Sequence, residues 1–296
     1  MPSGILLLDK PRGLSSNGAL QRVRKSFDAR SAGHVGTLDP MATGMLPICL
    51  DEATKVIAEI ESGAKAYEFT LSLGSRTDTG DVEGEVVETL PVPTFDPVAI
   101  ESVLARFRGV QSQVPPMYSA LKRGGRPLYE LARQGIEVER AARRIEIRSL
   151  VLEGRTDGTL ELACECAKGT YIRVLGEDIA RALGTCGHLT RLRRSWVEPF
   201  RGLPMVTLEA VQDGAGGGRT LMPPDGALSG LAAARLTEAQ ATTLRRGQAV
   251  SPEIPVTAIV GRRVRAYGPD ESFLGLAELL PDGRLQPRRL LLPDLQ

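Results

Sequence analysis

The heptapeptide YEFTLSL at residues 67–73 constrains the fold more than any other stretch of this chain. Its side chains alternate without a break, with Tyr67, Phe69, Leu71 and Leu73 on one face and Glu68, Thr70 and Ser72 on the other. A period of two is that of a half-buried β-strand, so the pattern predicts a strand with one face on a core. Further strands are predicted at 4–8, 144–152, 160–166 and 191–197, and a short apolar segment follows at 45–50. Helices are predicted at 16–27, capped by Ser16 or Asn17, and at 52–60, 96–108 and 127–133. Another opens at GTYIR (169–173) and runs through Leu183, with Ile172, Leu175, Ile179 and Leu183 at helical spacing. Strands and helices do not alternate as βαβα. The arrangement predicts an α+β fold with a mixed, largely antiparallel central sheet flanked by helices and loops, not a doubly wound one.

A chain of 296 residues with 42% hydrophobic content can fill a sizeable core and is long for one domain. From 213 to 230 the composition turns to Gly, Pro and Ala, including the run GAGGG at 214–218, which reads as a linker or surface insertion. As a phosphate cradle that run lacks both a preceding strand and a GK[ST] ending. Residues 231–296 hold one short helix at 238–246 and several short strands. The expected division is a domain at 1–230 and a small β-rich domain at 231–296.

The apolar run at 5–8 is too short for a signal segment, and no stretch reaches a membrane-spanning length, so a soluble, cytoplasmic protein is expected. Cys49, Cys164, Cys166 and Cys186 form no CxxC pair, and His34 and His188 are too few to complete a zinc site. Reduced structural thiols, no metal and no cofactor are expected. The net charge of +1 conceals an uneven distribution. Residues 51–100 carry three basic and eleven acidic side chains, whereas 101–150 carry ten basic and five acidic. Arg191, Arg193, Arg194 and Arg201 add to the basic part. Such a patch suits a phosphate backbone or simply a solvated face.

The stretch GHVGTLDPMATG, residues 33–44, places an isolated carboxylate, Asp39, on a loop stiffened by Pro40 and bracketed by glycines. Asp before Pro commonly initiates a turn. With no serine–histidine–acid arrangement and no paired carboxylates in view, a lone carboxylate acting as nucleophile or base is the chemistry left. Tyr67 reads as a core residue of its strand. Arg173, among apolar neighbours, needs a carboxylate if buried; it could instead reach solvent or pair with Glu177.

Eight segments, in order, resemble the TruB-type tRNA pseudouridine synthases: LDKPRG (8–13), GHVGTLDPMATG (33–44), KAY (65–67), LGSRTDTGD (73–81), QVPPMYSALK (113–122), YELARQG (129–135), GTYIR (169–173) and HLTRLRR (188–194). The match spans nearly the whole chain; Ser15-Ser16 stands where the family often has Thr-Ser. The resemblance implies a pseudouridine synthase fold, a PUA-like RNA-binding domain at the C-terminus, and isomerisation of the uridine at position 55 in the tRNA T-loop. It implies that Asp39 is the nucleophile, that Tyr67 lies against the target base and that Arg173 pairs with Asp39. It further implies that His34, Tyr171 and Leu192 contact the flipped nucleotide or fill its place. Lys10, Lys122, Arg123, Arg126, Arg191, Arg193 and Arg194 are then expected on the RNA, whose T-arm is the partner. No cofactor and no obligatory protein partner are implied, and the protein is expected to be a monomer.

Overall fold

The computed structural model describes residues 3–214, 220–253 and 258–291. Most of the glycine run thus lies outside the described residues. A nine-stranded sheet forms the body of the molecule. Its strands are β1 (Gly4–Lys10), β2 (Ala32–His34), β3 (Thr43–Leu50), β4 (Lys65–Leu73), β5 (Gly109–Gln113), β6 (Arg143–Arg155), β7 (Thr159–Cys166), β8 (Gly187–Val197) and β9 (Val206–Thr207). They lie in the order β9-β1-β3-β8-β4-β7-β6-β5, with β2 also paired to β3. Only β1–β9 and β3–β8 are parallel pairs, so the sheet is mixed and largely antiparallel.

The alternating heptapeptide lies in β4, between β7 and β8. Tyr67 faces Cys164 on one neighbour and Arg194 on the other. Helices α1 (Ser16–Ser26), α2 (Ile57–Glu61), α3 (Pro97–Arg106), α4 (Leu128–Ala132) and α5 (Ile172–Ala182) surround the sheet. Leu20 and Val23 of α1, Ile100 and Leu104 of α3, and Ile172, Leu175 and Ile179 of α5 pack on the β4 face that carries Tyr67, Phe69 and Leu71. Burial of this apolar surface, at about 25 cal/mol per Å², is what holds helices of this length in place.

Local chemistry corrects two expectations. The α1 cap is Ser15, whose side chain accepts from the Gly18 N–H at 3.0 Å; Ser16 is released for another use. The predicted helix at 52–60 is a 3₁₀ turn, Asp51–Val56, followed by the single turn of α2. There the Thr54 hydroxyl donates to the Asp51 carbonyl at 2.7 Å, a local bond that competes with regular helix. Two short hairpins, Ser75–Thr77 with Val86–Thr89 and Lys122–Arg123 with Arg126–Pro127, give no period-two pattern in the sequence.

The C-terminal residues form a four-stranded sheet of β10 (Ala233–Arg235), β11 (Arg263–Tyr267), β12 (Phe273–Leu279) and β13 (Leu285–Leu290), in that order. It has its own core of Ala234, Leu244, Val264, Leu274 and Leu285. Leu276 and Phe273 leave that core and join Val56, Ile60, Val197 and Phe200 behind the large sheet. Lys55 Nζ donates to the Leu290 carbonyl at 2.8 Å, and Arg263 pairs with Glu59 at 3.5 Å. The four cysteines are free and buried. Among the described residues no helix is long and apolar enough to cross a membrane.

One irregularity in the sheet creates the cleft. Along one edge β3 pairs with β1, but its other edge is divided: residues 48–50 pair with β2, residues 43 and 44 with β8. The chain from 35 to 42 leaves the sheet through that gap. Gly44 closes it with φ +99°, and a Cβ there would lie 2.2 Å from the Arg194 carbonyl oxygen. No side chain fits between the two backbones.

Candidate active site

Residues 35–42 carry Asp39 and are tied down along their whole length. The Ser16 hydroxyl accepts from the Leu38 N–H at 2.8 Å and donates to the Leu38 carbonyl at 2.9 Å. The Pro40 carbonyl accepts from the Gly13 N–H at 2.8 Å and from Lys10 Nζ at 3.4 Å. Arg194 donates to the carbonyls of Val35 and Gly36 at 3.2 and 3.1 Å, and to Met45 at 2.7 Å. Leu38 and Met41 anchor the loop in the core. Backbone held this way fixes a carboxylate without help from secondary structure.

Asp39 meets Arg173, at the start of α5, in a two-pronged contact: Nε to Oδ2 at 2.9 Å and Nη2 to Oδ1 at 3.3 Å. The arginine is 4% exposed, the aspartate side chain 35%, so the pair faces the cleft from the carboxylate side. Arg173 also donates to the Thr79 and Tyr118 carbonyls and lies 3.7 Å from the Asp81 carboxylate. Asp81 is buried and accepts from the Thr79 hydroxyl and the Glu83 N–H. Of the alternatives open to Arg173 in the sequence, the structure has it buried with Asp39 and Asp81, and Glu177 is not among its ion-pair partners.

The cleft beside Asp39 has a volume of about 610 Å³ and is lined by Tyr67, Tyr171, Arg173, Leu192, Lys65 and Arg194, among others. Burial pushes the Tyr67 phenol up to about 12, so it stays protonated. Burial likewise raises Tyr171. Tyr171 is set by Gln113, whose side-chain amide accepts from the Tyr171 N–H at 2.8 Å and donates to its carbonyl at 3.1 Å. His34 ends β2; burial and then the Arg194 charge hold its imidazole below the usual range, so the ring is neutral. Its Nδ1 is buried without a hydrogen-bond partner.

The basic residues divide. Because β8 alternates, Leu192 and Arg194 face the cleft while Arg191 and Arg193 face away. Arg193 forms a two-pronged pair with Asp9 at 2.9 and 2.8 Å, and Arg191 pairs with Glu68 at 3.2 Å. Lys10 and Arg194 are 0% and 1% exposed, so neither is on a surface that a phosphate can reach. This speaks against both as contacts to the RNA backbone: Lys10 holds the Pro11, Leu14 and Pro40 carbonyls, and Arg194 holds those of the 35–45 segment. Lys122 and Arg123 are exposed and line a second cleft with Arg140 and Arg143; Arg143 borders both clefts. Asp81 and Gln113 each lie in a quoted motif, yet nothing in their residue types marks them as part of the site.

Burial pulls the Lys10 ammonium down from 10.5 to about 8. Between these values the folded chain has released the proton and the unfolded chain still binds it, so this residue's contribution to stability rises with pH. Relative to Lys10→Met, the wild type is expected to gain stability from about pH 8 to about pH 10.5, by at most about 1.4 kcal/mol per pH unit. Denaturant unfolding of both proteins from pH 7 to 11 reads this, and a difference that is flat throughout would contradict it.

The profile of the TruB family pseudouridylate synthase N-terminal domain matches residues 24–172. The chain belongs to the TruB family. Profiles of two TruB C-terminal regions match residues 173–223 and 232–291. The proteins named tRNA pseudouridine synthase B of Chromohalobacter salexigens and Aromatoleum aromaticum are 47% and 48% identical to this TruB chain. Each alignment covers 97% of it, with 94% and 92% of the relative. Among solved structures, a Cbf5–Nop10–Gar1 complex matches with a TM-score of 0.74 at 21% identity, over 99% of this chain and 86% of the other. An H/ACA ribonucleoprotein bound to a substrate RNA containing 2′-deoxyuridine matches with 0.73 at 19%, again over 99% and 86%. At these identities the two structures share the fold.

Proposed function

We propose that this protein isomerises the uridine at position 55 in the T-loop of tRNA to pseudouridine, with Asp39 as the reacting carboxylate. The observation that carries the reading is the Asp39–Arg173 pair at the edge of a cleft lined by Tyr67, Tyr171 and Leu192. It stands on a chain close to half identical to proteins named tRNA pseudouridine synthase B. A cleft of this volume accommodates one nucleotide. The uridine is turned out of its stack to enter it, at a cost of a few kcal/mol that the pocket contacts offset.

In the reaction N1–C1′ breaks, the base turns within the cleft, C5 bonds to C1′, and the C5 proton leaves as N1 gains one. Nothing is added or lost, so the reaction itself calls for no cofactor. Asp39 serves this chemistry by attacking C1′, by attacking the base, or by removing the C2′ proton. Arg173 fixes both carboxylate oxygens, and a two-pronged contact sets direction as well as charge. Tyr67 and Tyr171 offer aromatic surface to the base, and neutral His34 is suited to stacking on an unstacked one. Lys122 and Arg123 at the second cleft suit phosphates of the T-arm, each neutralised phosphate adding about 0.7–0.9 to the salt slope of binding. Residues 1–230 carry the chemistry on this reading, and the PUA-like residues 231–296 help to grip the RNA. The protein works as a cytoplasmic monomer.

Incubating unmodified tRNA with the protein and mapping pseudouridine at nucleotide resolution tests the proposal. Conversion at position 55 is expected. Release of free uracil would instead make the protein a glycosylase, and unchanged bases would make it a tRNA-binding protein without chemistry.

A further inference from the structure

Lys65 and Arg194 are both buried, at 6% and 1% exposure, and both line the cleft. Neither has a carboxylate among its hydrogen-bond or ion-pair partners in the described residues. Lys65 Nζ donates to the Glu61 and Gly63 carbonyls at 3.2 and 3.3 Å, which leaves one of its three N–H groups without a partner among the described residues. Arg194 has the three carbonyls named above and the Tyr67 phenol. The two cations flank Gly36: a Cβ there would lie 3.0 Å from Arg194 Nη1 and 3.3 Å from Lys65 Cε.

A buried charge ordinarily finds an opposite one, because leaving it unpaired costs several kcal/mol. Here two like charges share one wall; Glu61, on the same lining, acts on Lys65 without an ion pair, and Arg173 is already shared by Asp39 and Asp81. The wall therefore holds two cations against one carboxylate, a net positive charge. A site that breaks the pairing rule in this way is made for an anion that arrives later.

The proposed reaction produces one. When N1–C1′ breaks, the electron pair goes to N1 and the negative charge spreads over the uracil O2 and O4. C1′ is made good either by a bond to the Asp39 carboxylate or by loss of the C2′ proton. The ring turns and C5 supplies the pair for the new bond to C1′, as the Asp39–C1′ bond breaks and frees the carboxylate or, on the other route, as C2′ takes its proton back; the C5 proton departs and N1 is protonated. Attack on the base also puts negative charge on the ring oxygens. Resting on the reading above, we propose that Lys65 and Arg194 form an anion-stabilising wall that holds the charge of the uracil ring while it is detached from the ribose. Groups fixed in advance where charge develops lower a barrier without reorganising during the step.

The test compares leaving groups. Fluorine at C5 withdraws electrons, so 5-fluorouracil carries the negative charge with less help. Consumption of the target nucleotide is measured in single turnover on tRNA with uridine or 5-fluorouridine at that position. The variants are Lys65→Gln and Lys65→Met, which remove the charge with different shapes, and Lys65→Arg, which keeps it. Melting temperature and tRNA affinity are recorded alongside. Both neutral variants are expected to lose about 100-fold on uridine and about 10-fold or less on 5-fluorouridine, with Lys65→Arg within about fivefold of wild type on both. Equal losses on the two substrates, an arginine variant as slow as the neutral ones, or neutral variants that fail to fold would each overturn the proposal. A wild-type protein that consumes neither substrate would overturn the functional reading instead.

Discussion

Asp39→Asn is expected to lower pseudouridine formation by at least about 1000-fold while tRNA affinity stays within about threefold of wild type. The exchange keeps the side chain's size and one carbonyl oxygen for Arg173. The guanidinium retains the Thr79 and Tyr118 carbonyls and the Asp81 carboxylate, so the cleft wall keeps its shape. What disappears is the only group at this position able to bond to carbon or accept a proton. Release of tritium from tRNA labelled at uridine C5 follows the reaction, since that hydrogen leaves when C5 joins C1′. Filter binding gives the affinity. Near-normal tritium release would remove Asp39 from the chemistry.

Arg173→Met is expected to fail twice over, with a stability loss of about 3–5 kcal/mol and activity close to that of Asp39→Asn. The stability loss comes from Asp81, whose side chain is 5% exposed and would keep its charge without a counter-ion. The activity loss comes from Asp39, which would lose both contacts that aim it. Adding Asp81→Asn separates the two effects: the double variant should recover much of the stability and none of the activity. Arg173→Lys should hold the charge yet remain slow, because an ammonium cannot offer the paired N–H groups of Nε and Nη2. Chemical denaturation and single-turnover rates on the same preparations check all three. Recovery of activity in the double variant would mean that Arg173 acts through stability alone.

Much of the fold is legible because its signal is local. The alternation at 67–73 fixes β4 and its inward face, and the 3.6-residue spacing of Leu175, Ile179 and Leu183 fixes α5. The β3 edge shared by β2 and β8 is not legible, since it depends on pairing between segments far apart in the chain. The contact between Asp39 and Arg173 bridges 134 positions, and only the ordered motifs connect them beforehand. The run RLRR at 191–194 looks like a single basic patch; a period of two already separates Arg191 and Arg193 from Arg194, and the structure puts them on opposite faces. Lys10 misleads for a related reason: it ends a strand whose preceding residues are buried, and its charge is satisfied by carbonyls that no sequence pattern announces. Asp81 and Gln113 act through burial and backbone contacts, which leave no mark in the residue pattern.

The short segment 51–61 serves two neighbours at once. One side carries the C-terminal sheet, through Val56, Ile60, Lys55 and Glu59. The other side carries Ala58 and Glu61 of the cleft, and the Glu61 carbonyl that holds Lys65. The molecule therefore has no clean seam after residue 230. A shortened chain that works slowly would report a loosened reaction chamber as much as a lost grip on RNA. The grip is better weighed by changing single exposed side chains of the C-terminal sheet, such as Arg289, which leave that shared segment undisturbed.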